Sequence, residues 1–242
     1  MIYLRSTIFL AGQVLFTLVF FPLSLISIGM PPLRRSRFIA IWARFVIWWL
    51  RQTCNLTFRV EYEAPLPESA GIFLSKHQSA WETIAFQCIL PPHAWVLKRE
   101  LLWIPVFGWG LALTRPVAID RDSGRKSLEQ VVEQGRKKLA EGRWVLVFPE
   151  GTRMPPGEHG RFNVGAGLLA QKTSADVVPI AHNAGSCWPK RGFLKKSGSI
   201  SVVIGKSIST DGKNARQINQ QAEAWIQKTM HRIENDLNKN SG

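Results

Sequence analysis

Two apolar blocks open the chain, and from about residue 56 the pattern changes to short β-branched and aromatic runs separated by stretches of helical period. The first block, Ile8 to Ile28, lies within an uncharged stretch from Ser6 to Leu33 and is long enough to cross a hydrocarbon core. The second, Phe38 to Leu50, is too short to span comfortably and carries Arg44, while its Trp42, Trp48 and Trp49 suit the headgroup region. It predicts an interfacial helix, so the pair either includes one crossing helix or forms a hairpin dipping into one leaflet.

Downstream, strands are predicted over 56–61, 71–75, 94–97, 116–119, 144–148, 176–181 and 199–205, with helices over 79–90, 124–141 and 165–172. A last helix, about 213 to 237, sets Ile218, Ala222, Trp225, Ile226, Met230, Ile233 and Leu237 on one stripe suited to core packing. The alternation defines an α/β domain over residues 56–242 behind membrane-associated helices over 1–55.

Charge sharpens the membrane reading. The net charge is +14, and the first 60 residues hold seven arginines and no Asp or Glu. An excess of that sign calls for an anionic partner, and its position beside apolar helices favours anionic lipid over nucleic acid. A cleaved signal peptide is disfavoured, because the apolar block is long and no Ala-x-Ala site follows it. Arg34, Arg35 and Arg37 then place the remaining chain on the cytoplasmic side of a membrane, the inner one in a bacterium. Cys54, Cys88 and Cys187 are odd in number and lack CxxC spacing, as expected of structural thiols in a reducing compartment with neither disulfides nor a metal site.

Three stretches carry candidate chemistry. In Ser75-Lys-His-Gln-Ser-Ala-Trp-Glu-Thr83, His77 precedes Glu82 by five residues, and five helical residues turn through about 500°, so both cannot share a helix face. The histidine must precede the helix. Ser79 to Glu82 forms a capping box, with Ser79 as N-cap and Glu82 three residues on. One reading makes Glu82 a cap and His77 an incidental loop residue. The other folds Glu82 back onto His77 as the orienting partner of a general base, with amides near the helix start as oxyanion donors. The second stretch is Phe148-Pro-Glu-Gly-Thr-Arg153, a buried strand ending in a turn where Glu150, Gly151 and Thr152 lead to Arg153, a fork for phosphate. In the third, Trp103, Phe107 and Trp109 beside glycines suggest a groove for an acyl chain, bracketed by Lys98 and Arg121 as phosphate binders.

Taken in order, these blocks resemble the phospholipid-forming glycerolipid acyltransferases, most closely the 1-acyl-sn-glycerol-3-phosphate acyltransferases. The resemblance spans about residues 70 to 185 and includes Val178-Pro-Ile180 as a fourth block. It departs in two places: Glu82 stands where Asp is commoner, and Met154 where a serine is frequent. It implies a mixed sheet flanked by helices, His77 as base with Glu82 orienting it, and Lys98, Arg121 and Arg153 on the acceptor's phosphate. It also implies acyl-CoA or acyl carrier protein as thioester donor, lysophosphatidate as acceptor, and no cofactor beyond these co-substrates. Another acceptor, such as glycerol 3-phosphate or a different lysolipid, fits the same blocks, and a non-catalytic anionic-lipid binding protein is the rival from a different class.

Overall fold

Runs that are apolar at every position become the middle of a sheet, since a parallel strand covered on both faces has no solvent side. In a computed structural model of the chain, residues 1–239 are described, apart from the side chains of Asp122 and of residues 237–239. Among the described residues, seven strands form one sheet: β1 (Leu56–Tyr62), β2 (Ile72–Ser75), β3 (His93–Lys98), β4 (Val117–Ile119), β5 (Trp144–Val147), β6 (Val177–His182) and β7 (Gly198–Ile204). Their spatial order is β1-β7-β6-β2-β5-β3-β4, with every neighbouring pair parallel except β6 and β7. The sheet is therefore mixed. The central strands β2, β5 and β6 are buried throughout.

Alternation along these strands feeds two apolar layers. Phe73, Leu146 and Val178 face α2 (Pro32–Cys54) and α3 (Trp81–Ile89), where they meet Val46, Leu50, Trp81 and Phe86. Ile72, Leu74, Val145 and Val177 face the other way, toward α5 (Arg125–Ala140), α6 (Gly165–Thr173) and α8 (Ala215–Lys239), with Val131, Leu169 and Ile218. Along α8 the expected stripe is buried at Ile218, Ala222, Ile226, Met230 and Ile233 and half-buried at Trp225, while the Leu237 side chain lies outside the described residues. A reciprocal box starts that helix: Asn214 Oδ1 accepts the amides of Arg216 and Gln217, and Gln217 Oε1 accepts that of Asn214. Gly167 lets α6 meet α8 backbone to backbone, since a Cβ there would lie 2.2 Å from the Ala215 carbonyl oxygen.

The N-terminal blocks form an antiparallel hairpin. α1 (Ile2–Ser24) and a 3-10 turn (Leu25–Gly29) lead to α2, where Pro32 at the first helical position is compatible with the missing N–H, and left-handed Asn55 (φ 51°) closes the end. The pairing is read from Phe20 on Phe38, Phe16 on Phe45 at 3.7 Å, and Trp42 Nε1 donating to Thr17 Oγ1. The hairpin also joins the domain core: Phe9 meets Trp188 edge-on at 5.5 Å, and Phe9, Val46 and Leu50 are fully buried. The outer side of α1 stays apolar and open, with Leu4, Ile8, Val14, Leu15 and Leu18 exposed.

Two elements escape the sequence pattern. α4 (Phe107–Leu113) contains two glycines, and α7 (Ala184–Cys187) is a single turn, so neither has enough period to be seen. α2 is also longer than the apolar block it was read from, because Arg34, Arg35 and Arg37 occupy its first turns.

Candidate active site

β2 ends at Ser75, and the next five residues cross the carboxyl edge of the sheet before α3 begins at Trp81. There His77 Nδ1 lies 2.9 Å from Glu82 Oε1, and the same oxygen accepts the amides of Gln78 at 2.8 Å and Ser79 at 2.7 Å. Glu82 is fully buried, His77 only partly. A carboxylate is only an acceptor, so Nδ1 carries the proton and Nε2 is left as the acceptor.

Glu82 does reach back to the Ser79 amide, but the capping register differs from the expected one. The first helical residue is Trp81 with Ala80 as N-cap, and Ser79 Oγ accepts the amide of Trp81. The shift has a cause: by converging on one oxygen, the amides of Gln78 and Ser79 and the imidazole pull the preceding turn under Glu82. It also means that the amides of Gln78, Ser79 and Trp81, expected as oxyanion donors, are already engaged.

Electrostatics follow the burial. Desolvation pushes the Glu82 carboxyl up, but the neighbouring His182 and His77 and the Ser79 amide outweigh it and hold it below the usual carboxylate range. His182, fully buried on β6, has its pKa lowered by burial against the pull of Glu82 and of the Lys76 carbonyl. It is a neutral strut: Nε2 donates to the Lys76 carbonyl at 2.8 Å, and Nδ1 accepts the Ala184 amide at 3.3 Å. The Phe148 ring stacks on the His77 ring at 3.9 Å between centroids, with Trp95 behind it at 5.9 Å.

The turn after β5 clamps the same loop from the other side. Glu150, with its side chain fully buried, pairs with the buried ammonium of Lys76 and accepts the His77 amide on Oε2 at 2.9 Å. Lys76 also donates to the Glu158 carbonyl at 2.7 Å, and the Met154 amide donates to the His77 carbonyl at 2.8 Å. Gly151 adopts φ 69°, which only glycine takes without strain, and its carbonyl accepts from Arg121 Nη1. Glu150 thus sits behind His77 and is not among the residues that line the cavity.

That cavity, about 500 Å³, opens beside His77. Its inner part is apolar, lined by Phe20, Phe21, Ile39 and Trp42 of the hairpin, Ile84 of α3 and Leu111 of α4. Its polar end carries Lys98, Arg121 and Arg153 together with Gly151 and Thr152. Of the three aromatics expected in an acyl groove, Phe107 lines the cavity. Trp103 and Trp109 do not. Trp103 projects outward under the Arg99 guanidinium at 5.8 Å, and Trp109 packs toward Phe21 on the outer face at 6.2 Å. The 3-10 turn Arg99–Trp103 and the short α4 rotate these two rings away from the opening.

Lys190 and Arg191 also line the polar end and had not been singled out in the sequence. A signal for them exists, since no Asp or Glu occurs between Asp176 and Asp211 while Lys190, Arg191, Lys195 and Lys196 do. Lys76 and His182 were not singled out either. Among the described residues, no group of three or more His, Cys, Asp or Glu has the arrangement of a metal centre.

A buried carboxylate on the Nδ1 of a partly exposed histidine, beside a largely apolar cavity that also carries cations, is suited to a general base working on an amphiphilic anion. Residues 57–183 match the model of the acyltransferase family. The chain is 46% identical over 203 residues to the 1-acyl-sn-glycerol-3-phosphate acyltransferase of Pseudomonas aeruginosa, covering 82% of this chain and 79% of that one. It is 30% identical to the enzyme of that name from Saccharomyces cerevisiae, covering 70% of this chain and 57% of that one. It shares its fold with the crystal structure of the 1-acyl-sn-glycerophosphate (LPA) acyltransferase from Thermotoga maritima, with a TM-score of 0.77, 18% identity and 96% and 95% of the two chains covered. This protein belongs to the acyltransferase family.

Proposed function

We propose that the protein transfers a fatty acyl group from a thioester to the sn-2 hydroxyl of 1-acyl-sn-glycerol 3-phosphate, forming phosphatidate. The observation that carries this reading is the 2.9 Å His77–Glu82 pair on the wall of a cavity that is apolar at one end and cationic at the other. The names of the relatives support it. His77 Nε2 takes the hydroxyl proton as that oxygen attacks the thioester carbonyl. The C–S bond then breaks, and the proton on His77 passes to the departing thiolate, giving a free thiol. Glu82 holds Nδ1–H in line and stabilises the transient imidazolium, so no nucleophilic side chain is required.

Lys98, Arg121 and Arg153 hold the acceptor's phosphate beside the base, Arg121 using Nη1 on the Gly151 carbonyl and its remaining donors on the ligand. The inner apolar wall takes an acyl chain, with Phe107 at its rim. Acyl-CoA and acyl carrier protein both fit as donor, and no separate cofactor is needed. Docking of α1 on the domain at Phe9 and near Trp109, with its outer side apolar, favours a hairpin lying in one leaflet of an anionic membrane at the cytoplasmic face.

The test is turnover by the purified protein in phospholipid vesicles with labelled lysophosphatidate and either oleoyl-CoA or oleoyl carrier protein. Labelled phosphatidate is the expected product. Absence of product with both donors overturns the reading, and faster acylation of glycerol 3-phosphate replaces the acceptor.

A further inference from the structure

Acyl transfer of the kind proposed above brings two phosphorylated molecules to one histidine, and the cavity carries more cations than one phosphate needs. Lys98 and Arg121 come from the β3 and β4 side of His77, whereas Lys190 and Arg191 come from the segment after β6 and α7, from which the Lys190 ammonium reaches the turn after β5. The turn that carries them is built into the site. The Gly185 amide donates to Gln78 Oε1 at 3.2 Å, tying α7 to the residue next to the base, and Trp188 packs on Phe9. Lys190 Nζ donates to Thr152 Oγ1 at 3.0 Å, which leaves two of its N–H groups for a ligand. Arg191 is held at φ 57°, an uncommon conformation for a residue with a side chain. No carboxylate lies on this segment to neutralise either group.

Depth distinguishes part of the cationic set: Lys98 and Arg153 are half-buried, whereas Arg121, held on the Gly151 carbonyl, and the pair Lys190 and Arg191 are exposed. The phosphate and the reacting hydroxyl of the acceptor sit on neighbouring carbons, so its phosphate must lie close to His77. In the donor, a long pantetheine arm separates the thioester from the nearest phosphate, which must lie far from His77 when the carbonyl is in place. We propose that Lys190 and Arg191 bind the phosphate ester at the far end of the donor's pantetheine arm, a chemistry common to coenzyme A and to the prosthetic group of acyl carrier protein. Thr152 positions Lys190 for that contact.

The proposal rests on the acyl-transfer reading, and one experiment separates them. Wild type and the K190Q/R191Q double variant are assayed in vesicles with lysophosphatidate and three donors: oleoyl-CoA, oleoyl carrier protein and S-oleoyl pantetheine, which lacks the phosphate. The variant's preference for a phosphate-bearing donor over the pantetheine thioester, as a ratio of kcat/KM values, is expected to fall by about tenfold to a hundredfold. A fall with oleoyl-CoA alone or with the carrier protein alone supports the assignment and identifies the phosphate's source. A ratio equal to that of wild type, or a rise in KM for lysophosphatidate in place of the donor, overturns the assignment and leaves acyl transfer standing. A wild type inactive with all three donors overturns both.

Discussion

Glu82 and Glu150 are chemically identical, both buried, and both bonded to the same short loop, yet their partners give them opposite tasks. In the proposed reaction Glu82 faces an imidazole whose charge changes during a turnover, together with two amides whose charge does not. Glu150 faces the ammonium of Lys76 and the main-chain amide of His77, so the charges around it stay constant. The difference teaches that burial of a carboxylate does not reveal its role. A carboxylate paired with a group that changes protonation acts in the reaction, and one paired with a fixed cation acts in the architecture. Loss of the first should appear in rate and loss of the second in stability.

The largest effect should come from deleting the group between them. His77→Ala is expected to lower kcat by about 10² to 10⁴-fold with the fold intact by circular dichroism. Glu150→Gln should strand the Lys76 ammonium in the interior and destabilise the protein by about 3–5 kcal/mol in denaturant titrations, with activity falling in step with the folded fraction. Glu82→Gln keeps an acceptor for the amides and loses the charge. Its kcat should fall about tenfold to a hundredfold, the worth of one charge-assisted hydrogen bond, with KM for lysophosphatidate little changed. A kcat loss for Glu150→Gln exceeding its loss of folded protein, or a purely structural defect for Glu82→Gln, would erase the contrast. Ser79→Ala should cost about 1 kcal/mol of stability, as a lost cap does, and spare the rate.

Acid gives the mildest test. Glu82 has a folded-state pKa below its ordinary value of 4.5, so the unfolded chain binds the extra proton first. Its contribution to stability is complete above about pH 4.5 and is lost as pH falls through the lowered value, so stability declines with acid. The decline should be shallower in Glu82→Gln, as followed by acid titration of tryptophan fluorescence.

Much of this contrast was legible in sequence, and the rest had identifiable reasons for being hidden. The central strands were visible because parallel, doubly covered strands are apolar at every position, as Trp144 to Val147 and Ile72 to Leu74 show, and the outer strand β1 because its apolar and polar residues alternate. That His77 precedes the helix followed from spacing alone, whereas the approach of Glu82 to it was one of two readings that the spacing left open. The capping register was missed by one residue because three donors on one carboxylate oxygen, a tertiary arrangement, outweigh the local preference of Ser79. Glu150 read as part of a ligand turn because nothing local shows that Lys76, far away in the chain, points at it. Trp103 and Trp109 lie outside the cavity because a 3-10 turn and a seven-residue helix set their direction, and neither leaves a period in the sequence. Lys190 and Arg191 depend on where α7 docks, which the Gln78 side chain decides.

Both main-chain hydrogen-bonding groups of His77 are satisfied by the segment 150–154, which lies more than seventy residues downstream. Synthesis from the N-terminus therefore produces the base long before it produces the clamp. A nascent chain that has released only α1 to α5 holds His77 and Glu82 on an unsupported turn, with Lys76 still hydrated. Catalytic competence arrives only after β5 has slotted between β2 and β3 and the following turn has closed, a long-range step of the slow kind. The apolar hairpin emerges before the clamp, so on the proposed function the chain can reach a lipid surface before it is able to modify a lipid.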